Sequence, residues 1–235
     1  MERAENSQRC FELLTAGDWD GLRRLLDSDP ACADARDSNG VSLLMHTLYR
    51  GRRDFAEAIA AQKKSLDIFE ATALGRLDRL KELTPRGAAP HRAAPDPAAA
   101  DKAAVHARSA DGFTALHFAC FFGQGEAARI LIDAGAAVDA VAANPMKVMP
   151  LHSAASARNL EAARHLLEHG APVNARQHGG WVPIHAAAQN GDRPMVELLL
   201  KHGADAKLTN DDGKTPAMVA REKAHEEVAG ILEAR

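Results

Sequence analysis

Histidine is the residue type that most invites a chemical reading of this chain, with eleven copies in 235 residues. His165-Leu166-Leu167-Glu168-His169 carries the H-x-x-E-H spacing of a zinc protease. Two imidazoles four residues apart share a helix face, and the glutamate beside them could act as a base. The context opposes this reading. His169 stands before Gly170 as His202 stands before Gly203, so it is a periodic residue near a helix end, and no third ligand falls in register. No G-x-S-x-G elbow is present to expose a nucleophilic serine. Gly123-Gln124-Gly125 lacks the third glycine of a dinucleotide fingerprint. Cys10, Cys32 and Cys120 are odd in number and widely spaced, which fits neither a disulfide framework nor a zinc site. Cys120 reads as a small buried residue. The expectation is a protein with no catalytic residue, no metal and no cofactor.

The elements that would carry these residues repeat. Val182-Pro183-Ile184-His185 recurs 33 residues later as Thr215-Pro216-Ala217-Met218, and Glu168-His169-Gly170 recurs at the same offset as Lys201-His202-Gly203. Met149-Pro150-Leu151-His152 precedes Val182 by 33, and Thr114-Ala115-Leu116-His117 precedes Met149 by 35. Ser42-Leu43-Leu44 takes the same slot further upstream. Gly17, Gly51, Gly75, Gly123, Arg158, Gly191 and Ala224 then mark seven inter-helix turns, spaced 34, 24, 48, 35, 33 and 33 apart.

Each regular unit has three parts. A turn signal comes first, as in Asp37-Ser38-Asn39-Gly40, Ser109-Ala110-Asp111-Gly112 and Asp211-Asp212-Gly213. Asn and Asp tolerate left-handed backbone, and Gly adopts it without strain. A first helix follows. Thr114 can cap it, and Pro150, Pro183 and Pro216 sit where a missing amide hydrogen costs nothing. A second helix with apolar pairs such as Ile130-Leu131, Leu166-Leu167 and Leu198-Leu199 closes the unit at Gly135, Gly170 or Gly203.

This pattern resembles the ankyrin repeat, a 33-residue unit with the motif Thr-Pro-Leu-His-x-Ala. No copy is perfect: Ala115 replaces Pro, Met149 and Val182 replace Thr, Met218 replaces His, and Lys147 replaces a tip Gly. Different slots fail in different copies. The resemblance implies a mostly α solenoid of about seven helix-turn-helix units with β-hairpin tips, running over residues 1–235. It also implies that His117, His152 and His185 tie their helices to neighbouring backbone. The family's partner-contacting slots carry over to Tyr49 and Arg50 in unit two, and to Asp111, Phe113, Phe121 and Phe122 in unit four. They carry over to Met146 in unit five, His178, Trp181, Gln189 and Asn190 in unit six, and Asp211 and Asp212 in unit seven. Arg36, Arg108 and Arg176 hold equivalent slots before the tips and are expected either as a basic stripe for acidic partners or as solvated charges.

Composition supports an interaction protein. Aromatics are 4% against 46% apolar residues, so alanine supplies much of the core, and thin layers of close-packed helices suit it better than a broad globule. A net charge of −3 argues against nucleic acid, no stretch is long and apolar enough for a membrane span, and Met1 to Asn6 lacks a signal-peptide core. A cytoplasmic monomer with a protein partner is expected. The chain divides into irregular units over 1–84, an Ala/Pro-rich loop over 85–105 with nine Ala and four Pro, and regular units over 106–235. Charged faces at Asp18, Asp20, Arg23, Arg24 and Asp27, and at Arg221, Glu222, Lys223, Glu226 and Glu227, are expected to cap a whole small protein. The function that follows is a non-enzymatic adaptor binding a protein on its concave face. The alternatives are a regulatory or inhibitory protein that masks an enzyme and, remotely, a hydrolase using His165 and His169.

Overall fold

Seven helical pairs make up this computed structural model, which describes residues 2–84 and 104–235. They are α1 (Glu2–Ala16) with α2 (Trp19–Ser28), α3 (Leu43–Tyr49) with α4 (Arg53–Gln62), and α5 (Ile68–Leu74) with α6 (Leu77–Leu83). Then follow α7 (Ala115–Phe121) with α8 (Gly125–Asp133), α9 (Pro150–Ser156) with α10 (Leu160–Glu168), α11 (Pro183–Asn190) with α12 (Arg193–Lys201), and α13 (Pro216–Glu222) with α14 (Glu226–Glu233). A 3-10 turn, Pro30–Asp34, links the first two pairs. Apart from Ala104 and Val105, the segment read as an Ala/Pro-rich loop lies outside the described residues.

First helices pack on first helices: α5 on α7, α7 on α9, α9 on α11 and α11 on α13. Second helices do the same, with α6 on α8, α8 on α10 and α10 on α12. Ala119, Ala154, Ala187 and Ala220 occupy one repeat slot and are fully buried. A methyl group there lets neighbouring backbones approach closely, which a dense interior requires. Between them lie Leu116, Leu131, Leu151, Leu166, Ile184, Met195 and Leu199, also fully buried. A smaller core runs from Cys10 to Leu74 and takes in Phe118 of α7, while Ile68 and Leu80 belong to the larger core, so the two interlock.

All seven inter-helix positions expected from sequence are left-handed. Gly17, Gly51, Gly75, Gly123 and Gly191 have φ between 64° and 74°, and Arg158 and Ala224 adopt 57° and 60° without glycine's freedom. Lys147 takes the same conformation where a tip glycine is missing. Pro150, Pro183 and Pro216 open their helices as expected.

The tips are tighter than hairpins. Backbone bonds Asp37 N to Val41 O, Ser109 N to Phe113 O, Ala142 N to Val148 O, Gln177 N to Trp181 O and Asn210 N to Lys214 O close them. Antiparallel pairing among the described residues is confined to the isolated bridges Arg36–Ser42 and Arg108–Thr114. Each later tip also donates one amide to the tip before it: Ala143 to Gly112 O, His178 to Met146 O, and Asp211 to Gly179 O.

Side chains stitch the units further. His117 Nδ1 accepts the Thr114 amide at 3.2 Å, so the ring proton resides on Nε2, which donates to Val148 O of the next unit at 3.0 Å. His152 joins the Met149 amide to Ala175 O, and His185 joins the Val182 amide to Lys214 O, in the same geometry. Unit three puts Glu70 in this slot. Its carboxylate accepts the Asp67 amide, and its other oxygen lies 3.3 Å from the buried Lys63 ammonium, which reaches back to Ala33 O and Asp34. The arginines of the proposed basic stripe are likewise engaged within the fold. Arg108 donates to Gly112 O and Val141 O, Arg176 to Gly180 O and Thr209 O, and Arg36 to Gly40 O and the Asp67 carboxylate. They act as staples between tips, because a guanidinium carries enough donors to serve two units at once.

Gly123→Ala lowers stability by about 1 kcal/mol, since its Cβ would meet no atom within 4 Å and the cost is left-handed strain alone. Ala224→Gly raises stability by about 0.5–1 kcal/mol by removing the same strain, and urea unfolding of both variants measures the pair. Burial holds His117 and His152 neutral with pKa about 4 and lowers His185 as well. A group with a depressed cationic pKa binds its proton first in the unfolded chain. Stability is therefore full above about pH 6.5 and falls as pH drops toward 4, by about 1.4 kcal/mol per unit for each of His117 and His152. Urea midpoints that stay level from pH 7 to pH 5 would show that these rings are not held neutral.

Candidate functional site

The tips and first helices present three hollows, and most of the residues expected to contact a partner line one of them. The first is built from three units, two, four and five. Tyr49 ends α3, Phe113 precedes α7, Phe118 and Phe121 lie on α7, and Ser153 lies on α9; with His117 they enclose about 120 Å³. Tyr49 is 40% exposed and Phe121 51%, while Phe113 and Phe122 are half-buried. Tyr49 stacks on Phe122 at 6.1 Å between ring centroids, and Phe121 meets Phe122 edge-on at 5.2 Å. Phe118 is buried at the centre of this group, 5.7 Å from Phe113 and 5.9 Å from Phe69. Offset and edge-on pairs of this kind add about 0.5–1.5 kcal/mol each beyond area burial. Sequence reasoning missed Phe118 and Phe69. Phe118 follows the motif histidine directly, and only the fold shows that it plugs the junction between the two cores.

Tyr49 is anchored at its far end. Its hydroxyl donates to the Asp111 carboxylate, which also accepts from Ser109 Oγ. Partial burial of the phenol and the adjoining carboxylate both push the Tyr49 pKa up from its usual value. This contact spans 62 residues and joins unit two directly to unit four. Beside it lies a polar hollow of about 250 Å³, where Arg36, Asp67, Arg108 and Asp111 face one another.

The third hollow, about 460 Å³ and open, lies between units five and six. Met146 of tip five faces His178 and Trp181 of tip six and Gln189 and Asn190 of α11 across it. Met146 is 49% exposed; Trp181 is half-buried against His185, 5.4 Å away. Asn190 Nδ2 donates to Ala155 O and Ser156 O, so its amide is committed to the preceding unit. Four expected residues line none of these hollows, Phe122 among them. Arg50 is exposed at the end of α3, and Asp211 and Asp212 are exposed on tip seven, where their amides bond Gly179 O and Asn210 Oδ1.

The zinc-protease string is used locally. His169 Nδ1 bonds His165 O at 2.8 Å, and His165 Nδ1 lies 3.8 Å from Glu168. Among the described residues no group of three or more His, Cys, Asp or Glu is arranged to hold a metal ion. Nor is any described helix long and apolar enough to cross a membrane.

Two family models match the sequence: one for ankyrin repeats in three copies over residues 68–177, and one for ankyrin repeats in many copies over residues 166–220. No curated protein matches it.

The single tyrosine makes the junction measurable. In an alkaline titration followed by phenolate absorbance, Tyr49 ionises above the usual value of about 10, and Asp111→Asn brings its midpoint down. A wild-type midpoint at the usual value, with the helical signal intact, would contradict the Tyr49–Asp111 contact.

Proposed function

We propose, since the chain belongs to the ankyrin-repeat family, that it is a non-enzymatic recognition module that holds a protein partner against its tips and first helices. Ankyrin repeats are in general protein–protein interaction modules. One observation carries the reading further. Met146, His178, Trp181, Gln189 and Asn190, contributed by two successive units, line one open hollow with an exposed apolar side chain at its edge. A mixed apolar and amide lining without a converging acid–base pair suits capture of side chains more than turnover of a substrate.

The aromatic hollow around Tyr49 and Phe121 extends the same face toward unit two. Phe121 and Met146 are the anchors of this reading, because each leaves about half its surface in water in a chain that has few aromatics. Exposed apolar groups near the centre of a docking face carry a disproportionate share of binding energy. Phe113, Phe122 and Trp181 form the walls behind them.

The test is a pair of truncations. Phe121→Ala with Met146→Ala weakens capture of the partner by about 2 kcal/mol or more, roughly 30-fold, and leaves the unfolding midpoint nearly unchanged. Affinity purification with mass spectrometry identifies the partner, and titration against both forms measures the loss. Equal affinity for both forms would place the contact elsewhere.

A further inference from the structure

Unit three has no tip. Residues 63–67 alone join α4 to α5, where the links to the other first helices from α3 onward carry a closed turn. The row of amide bonds from tip to tip therefore breaks at unit four. Ala143, His178 and Asp211 each follow the residue that closes their tip, and each donates to the tip before. Ala110 holds that place in tip four, and its amide has no acceptor among the described residues. Tip four leans instead on tip two, where a Cβ on Gly40 would stand 3.3 Å from the Ala110 methyl. The hollow of about 250 Å³ lined by both tips and by Asp67 and Phe69 of unit three is the space that the missing tip leaves.

Arg108 lines the same hollow with a second unanswered donor. It gives both of its hydrogen bonds through Nη1, to Gly112 O and Val141 O, and its Nε and Nη2 donate to no described residue. Neutral carbonyls leave its charge uncancelled. Arg36 differs, because its Nη2 pairs with the Asp67 carboxylate. The aspartates are already taken: Asp67 accepts from Arg36 and from the Glu70 amide, and Asp111 from Tyr49 and Ser109. Met45, Phe69 and Phe118 complete an apolar part of the lining.

We infer, resting on the reading that the tips and first helices hold a protein partner, that this hollow takes one carboxylate side chain of that partner, an Asp or Glu beside an apolar residue. One carboxylate oxygen accepts from the Ala110 amide, in place of the absent tip's carbonyl, and the other from the Arg108 guanidinium. Such charge-assisted bonds are about twice as strong as neutral ones. The size favours a single side chain, since pockets for whole small molecules start at about 300 Å³. Tyr49 and Phe118 line both this hollow and the aromatic one, so neighbouring residues of one chain fill the two together, the apolar residue against Phe121 and the acid beneath the tips.

The probe is a displayed library of random short peptides selected on the folded full-length protein, with binders measured by fluorescence polarisation. Selection is expected to enrich Asp or Glu next to Phe, Leu or Met. Replacing the acid of the best peptide by its amide weakens binding by about tenfold or more, and Arg108→Gln costs the acidic peptide the same factor. On Arg108→Gln the acidic and amide peptides bind alike. The peptide exchange uses wild-type protein, so it decides the question even where Arg108→Gln lowers the urea midpoint. Binders weakened by Phe121→Ala but indifferent to their own acid would overturn this inference and leave the docking face standing. Binders indifferent to both changes, or no binders at all, would overturn the two together.

Discussion

From unit four onward, each unit is tied to the next by hydrogen bonds to the backbone of the neighbouring tip. That constraint organises the molecule. The amides of Thr114, Met149 and Val182 at the head of each first helix also need an acceptor, and a buried polar group left without a partner costs about 1–3 kcal/mol. The imidazoles of His117, His152 and His185 meet the need with a ring that accepts an amide on one side and donates across the interface on the other. Arg108 and Arg176 do related work along the tips. The alanine layer beneath is a consequence: bridges of about 3 Å between backbones require helices to lie close, and larger side chains would hold them apart.

The features legible in the sequence are those set by local backbone rules. A glycine at five of the seven inter-helix turns, a proline at the first helical position and a glycine after the second helix each answer to one residue's own φ or missing donor. Arg158 and Ala224 could be read as turn residues only because the period placed them there, and the backbone obeys the period at the expense of strain. The histidine slot was legible for the same reason.

The features that were not legible depend on partners distant in the chain. Arg36, Arg108 and Arg176 looked like a stripe of free charge because their acceptors are mostly carbonyls, which no sequence pattern marks. The Tyr49–Asp111 contact crosses the irregular step between units two and four, so no offset predicts it. Phe118 fills the ground between α3 and α7, in the slot where the next two units carry Ser153 and Ala186, and no offset announces that exchange.

The histidine bridges all point one way, from each unit to the one after it. That gives the array a vectorial grammar. Excising a unit orphans the ring of its predecessor but leaves its successor's own bridge untouched, so damage propagates toward lower residue numbers. Glu70, whose partner Lys63 reaches backward to Ala33 and Asp34, reverses the sense in unit three. Units three and four therefore meet with no imidazole passing between them. That seam is held instead by α5 packed on α7, by Phe118 of unit four seated in the smaller core, and by the Tyr49–Asp111 contact that reaches past it to unit two.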